Sequence, residues 1–188
     1  NNIEISPEIA TSLMTGLITD TGNFSNAGTS RHALAIASDL SRKHANVKGI
    51  HNNVYKNKSI GALKLWGRVL GRLELHQHHG IAYTFYTQKD IEEFKVTEDE
   101  LDGIANLLND LNEGHAIMVL KERPDGGVKA SLRTTHNHVD VSMIAQSFGG
   151  GGHKKAAGFT LLEHTIESAI EHVFDSLSTK KLAFVKAT

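Results

Sequence analysis

Ser147 to Phe159 reads SFGGGGHKKAAGF, four consecutive glycines followed by a histidine and two lysines. Glycine is the costliest residue to order, so such a run is either a flexible linker or a loop whose backbone must come close to something. Here Gly152 passes straight into HKKAAGFTLL, small residues and then a buried-strand pattern, and the preceding VSMIAQSF reads as a short helix capped by Asp140. A loop held at both ends is not a linker. The N–H groups of Gly149, Gly150, Gly151 and Gly152 are then expected to form an anion-binding nest, with His153 and Lys154 adding donors and charge. Lys155 reads as the solvent-facing member of the lysine pair. The chemistry implied is phosphate capture; the bland alternative is a tight turn with solvated lysines.

Two further side chains fit that chemistry. In SLRT, strand alternation sends Ser131 and Arg133 one way and Leu132 and Thr134 the other. Arg133, on a strand just before the glycines, can fork onto a phosphate or carboxylate. In ITDTGNF, the carboxylate of Asp20 ends an apolar run immediately before a turn. The histidines of HQHHG, 76–80, lack a preceding carboxylate and read as an exposed polar turn, and His136 and His138 read as adventitious metal binders at most.

The elements that must position these residues follow from periodicity. Ser6 and Pro7 start a helix with Ile9, Leu13 and Leu17 at helical spacing, ending near Thr19, and a second helix from Ser30 carries Ala33, Ile36, Ala37 and Leu40 on one face. The polar stretch 44–59 reads as a connection. Beyond it come a helix near 60–68, strands RLELH and IAYTFYT, a helix near 97–111, strands AIMVLKER and VKASLRT joined by a Pro-Asp-Gly-Gly hairpin, the short helix, the glycines, strand AGFTLL and a final helix from about His164. The fold class is therefore α/β, with a sheet and helices in the second body.

Composition bounds the partners. Twenty Lys and Arg against 21 Asp and Glu leave a net charge of −1, which argues against a protein coating long nucleic acid and for a local anion pocket. No run approaches the length of a membrane span, and the absence of Cys excludes disulfides and thiolate zinc sites and is compatible with the cytoplasm. The chain opens NNIEISPEIA, without Met or a leader pattern, and reads as the interior of a longer protein.

GLITDTGNF, SLRT and VDVSMIAQSFGGGGHKKAAGF together resemble the carboxy-terminal half of DHH-family phosphoesterases, nearest to the bacterial oligoribonucleases that also dephosphorylate 3'-phosphoadenosine 5'-phosphate. The resemblance implies the end of a DHH catalytic domain at 1–45, a linker at 46–59 and a smaller, mixed-sheet DHH-associated substrate-binding domain at 60–188. It implies two Mn2+ ions in the intact enzyme, with Asp20 as one ligand, and Arg133, the four glycines, His153 and Lys154 as substrate contacts. The implied ligands are short oligoribonucleotides or phosphorylated nucleotides, and the implied partner is an N-terminal DHH domain, with room for a homodimer.

The paired-aspartate and Asp-His-His motifs of that family do not occur in these residues. One carboxylate cannot hold two metal ions, so the chain is expected to bind substrate yet not turn it over, and its main catalytic residues are not assigned. Two other readings remain open: a cyclic-dinucleotide phosphodiesterase of the same family, and a non-catalytic module for single-stranded nucleic acid.

Overall fold

The computed structural model of the chain describes residues 4–25, 28–54, 58–101, 104–108, 111, 113–180 and 184–185. It divides into two compact units at Lys58 and Ser59.

The first unit holds α1 (Pro7–Asp20), α2 (Arg31–Arg42) and α3 (Val47–Val54). Ser6 caps α1 through Ile9 N–H with Pro7 at the first helical position, and Ser30 caps α2 through Ala33 N–H. The apolar centre is Ala10, Met14 and Ile18 of α1 with Leu40 and Ile50. This is one position off the expected face: Ile9 and Leu13 are 45% and 52% exposed, and Ile36 of α2 is also exposed. Helix α1 carries two apolar stripes, and α2 and α3 cover the one containing the smaller Ala10. Helix α3 lies inside the stretch read as a connection and contributes Ile50 to this core.

In the second unit the elements run α4 (Ile60–Gly71), β1 (Glu74–His76), β2 (Ile81–Tyr86), α5 (Gln88–Phe94), α6 (Glu98–Leu101), α7 (Ile104–Leu108), β3 (Ala116–Glu122), β4 (Val128–Arg133), α8 (Val141–Ser147), β5 (Gly151–His153), β6 (Ala156–Leu161) and α9 (Ile166–Lys180). The strands form a six-stranded mixed sheet in the order β1-β2-β3-β4-β6-β5. Only β2 and β3 are parallel within it, joined by the α5–α7 crossover that a parallel pair requires. The turn at Gly126 and Gly127 has φ of 91° and 80°, and a Cβ on Gly127 would lie 2.4 Å from Leu161 O, so glycine is required there.

Alternation along the strands divides the core into two layers. Met118, Leu120, Val128, Ala130, Leu132, Ala157 and Phe159 pack under α8 and α9. On the opposite face Ala82, Ile117 and Val119 pack under α4, α6 and α7. That second layer takes residues from β2 and β3 and none from β4, β5 or β6. The outer half of this face is consequently open, and its side chains are Lys129, Ser131, Arg133, Ala156, Thr160 and His153, half-buried or exposed.

Candidate functional site

The open half-face is built from register. Arg133 on β4 stands opposite Ala156 on β6, and Ala156 stands opposite His153 on β5. Directly opposed residues of antiparallel strands share a face, so Arg133 and His153 flank Ala156 at two strand spacings, roughly 10 Å apart. The adjacent row is Ser131, Gly158 and Gly151. Gly158 could not carry a side chain, since its Cβ would lie 2.9 Å from Ala130 O. A strip with a glycine floor and an alanine gap, cationic at one edge and imidazole at the other, results.

The four glycines do three different jobs. Gly149 ends α8 with φ +75°, donating its N–H to Gln146 O at 3.1 Å, and Gly150 N–H reaches Ala145 O at 2.9 Å. These are helix C-terminal bonds, so two of the amides expected in an open nest are already used. Gly150 and Gly152 are required by packing: their Cβ atoms would lie 2.2 Å from Gly158 O and 2.6 Å from Ala156 O. Gly151 differs from all three. No atom lies within 4 Å of its Cβ position and its φ is not positive, so neither sterics nor conformation demands glycine there. The sequence reading missed that 151–153 form an edge strand.

The cations are placed unequally. Arg42, Arg68, Arg72 and Arg123 each hold a carboxylate. Arg133 has no ion-pair partner among the described residues, and donates from Nη1 to Leu132 O at 3.0 Å. Most of its five donors remain available. Lys154 Nζ donates to Asn137 O at 2.6 Å and Lys155 Nζ to Thr135 O at 2.8 Å, so both ammoniums clamp the segment that follows β4. Lys155 is the more buried, and that burial, with Lys154 beside it, pushes its pKa down.

Asp20 is the last residue of α1 and is exposed. Gly22, Asn23 and Phe24 follow it in left-handed conformation, with φ of 56°, 58° and 63°. A left-handed phenylalanine is strained, and the buried Thr21 holds it by accepting Phe24 N–H at 3.1 Å. The backbone beside the carboxylate is thus tightly fixed. Among the described residues no three His, Asp or Glu side chains gather as a metal site.

The HQHHG turn is more than an exposed loop. His76 stacks on Phe174 of α9 at 3.9 Å between ring centroids, and His79 lies 3.0 Å from Ser178 Oγ through Nε2. Sequence reasoning also missed the network around Asp90, whose carboxylate receives Arg72 at 2.6 Å and Arg68 at 3.0 Å and caps α5 through Thr87. Thr87 and Asp90 have capping-box spacing, which was the available signal.

A six-stranded mixed sheet with helices packed on it defines this unit as an α/β domain. The DHHA1 domain family matches residues 79–179, and the chain belongs to that family. A bifunctional oligoribonuclease and PAP phosphatase of Thermus thermophilus is 30% identical over 175 residues, 93% of this chain and 52% of that protein. An A-adding tRNA nucleotidyltransferase of Aquifex aeolicus is 30% identical over 185 residues, 98% of this chain and 22% of that protein. The crystal structure of an exopolyphosphatase-related protein from Bacteroides fragilis matches with a TM-score of 0.83 at 28% identity, covering 94% of this chain and 51% of its own. The chain spans about half the length of the oligoribonuclease it matches. No helix among the described residues is long and apolar enough to cross a membrane.

Proposed function

We propose that this chain is the substrate-gripping part of a manganese-dependent phosphoesterase that hydrolyses short oligoribonucleotides and 3'-phosphoadenosine 5'-phosphate in the cytoplasm. The observation that carries the proposal is Arg133, without an ion-pair partner among the described residues, on an open half-face, facing His153 across Ala156, with Gly151 and Gly158 as the floor. A phosphate seated there meets a forked guanidinium on one side and an imidazole on the other, and the bare backbone at Gly151 allows close approach. The name of the Thermus relative supports the substrate class.

Residues 1–45 are proposed as the end of a DHH domain and Asp20 as one carboxylate of its Mn2+ site, the other ligands lying outside these residues. The metal would supply charge neutralisation and an activated water. This chain's share is to orient the phosphoester and hold its chain end, so the 188 residues alone bind without turnover. Titration with strands of two to eight nucleotides, with and without Mn2+, tests this. Affinity that levels off after a few nucleotides and ignores Mn2+ fits a chain-end grip.

The Aquifex relative gives a second reading its footing: a similar body of chain occurs within a protein named an A-adding tRNA nucleotidyltransferase. A module for single-stranded nucleic acid would instead gain affinity steadily with length and lose it steeply with salt.

A further inference from the structure

Beside Arg133, three imidazoles from two separate segments meet. His115 precedes β3, and His136 and His138 follow β4. Their ring centroids lie 5.3 Å apart for His136 and His138, 5.9 Å for His115 and His138, and 6.2 Å for His115 and His136. Glu113, His115, Ile117, Arg133 and His136 line one depression. The arrangement is held from beneath. Buried Thr134 donates to His115 O at 2.7 Å and accepts His136 N–H at 3.1 Å, while Lys154 and Lys155 fix the carbonyls of Asn137 and Thr135. Among the described residues no three His, Asp or Glu side chains, these three included, converge as a metal site.

We propose that His115, His136 and His138 form a nucleobase platform, receiving the base of the nucleotide whose phosphate Arg133 holds. This rests on the reading of Arg133 given above. His115 stands at 78° and 79° to the other two rings, so a base stacked on one imidazole meets the edge of another. Imidazole faces and guanidinium planes are both surfaces on which single-stranded bases stack. Glu113 repels a second phosphate at this rim but accepts from an exocyclic amino group, which favours adenine over uracil.

The test is calorimetric titration of the protein with AMP, UMP and ribose 5-phosphate. The expected result is AMP binding about tenfold tighter than ribose 5-phosphate, as base stacking supplies, with UMP weaker than AMP. The triple variant H115A/H136A/H138A should bind AMP no better than ribose 5-phosphate while its ribose 5-phosphate affinity is unchanged, which also shows that the fold and the phosphate site survive. His136→Phe in the native background should keep the preference for a base. A protein that binds ribose 5-phosphate without preferring AMP overturns the platform alone, as does a triple variant that keeps the preference or loses both ligands together. Failure to bind any of the three overturns the Arg133 reading, and the platform with it.

Discussion

Arg133 and His153 face the same side of the sheet with the single methyl group of Ala156 between them. The gap is a direct consequence of register, and it can be closed without touching either polar residue. Ala156→Leu should leave stability within about 0.5 kcal/mol, since the position is half-buried on an uncovered face, yet it should abolish phosphate-ester binding. Arg133→Ala should weaken the same ligands by about 1.5–3 kcal/mol with the fold intact. Isothermal titration with AMP and a thermal melt of each variant check both; an Ala156→Leu protein that binds normally would remove the gap from the site.

Gly150 and Gly151 are neighbours with opposite reasons for being glycine. A Cβ at Gly150 falls on Gly158 O, whereas at Gly151 it meets nothing within 4 Å. Gly150→Ala should therefore destabilise the second unit by about 1–3 kcal/mol, as overpacking does. Gly151→Val should fold as the native chain does, because valine suits a strand and the backbone there is ordinary, while ligand binding is lost through the blocked approach. Urea denaturation followed by titration separates the two effects. Equal destabilisation by both changes would contradict the edge-strand geometry.

Alternation made much of the second unit legible in advance. Leu132 and Thr134 are buried and Ser131 and Arg133 are not, as SLRT implies, and the hairpin at Pro124 to Gly127 followed from its residue types. The glycine run was legible only as a loop near something. Four glycines carry no side-chain pattern, so the division between α8 termination, close packing on β6 and one open position depends on tertiary contacts. The stripe Ile9–Leu13–Leu17 was ambiguous for a different reason: α1 is apolar on two sides, and only the positions of α2 and α3 choose between them. The histidine platform was not legible at all, because His115 and His136 are brought together by the β3–β4 pairing.

Asp90 ties α5 to α4, accepting from Arg68 of α4, from Arg72 at the C-cap of α4 and from Thr87 at the N-cap of its own helix. Burial pushes its carboxyl up, but Arg72, Thr87 and Arg68 together hold it far below the ordinary carboxylate range. A carboxylate depressed in the folded state contributes stability above its unfolded pKa, and that contribution is lost as pH falls through the folded value. Asp90→Asn should cost about 3 kcal/mol at neutral pH, because it leaves the half-buried Arg72 without its carboxylate, while Arg68 keeps Glu93. Urea midpoints measured from about pH 7 down to about pH 3 should fall for the native protein and show a shallower fall in the variant.

His79 supplies the opposite kind of pH dependence. Its ring lies nearly parallel to Phe174, at 8° and 6.0 Å, and its Nε2 is 3.0 Å from Ser178 Oγ on α9. Burial, then the neighbouring His76 and His78, push its pKa below the ordinary imidazole value, against a smaller opposing effect of the Phe174 backbone. The unfolded chain therefore takes up a proton at this site before the folded chain does. Stability from neutral His79 is fully present above about pH 6.5 and declines as pH falls toward the folded pKa, below which the loss is complete. His79→Phe keeps the ring stack on Phe174 and removes the titration. The difference in thermal midpoint between native protein and variant should shift in the variant's favour between about pH 7.5 and about pH 5, whatever the other histidines contribute to both. A difference that stays constant across that range would mean that His79 is solvated in the folded state and does not anchor α9.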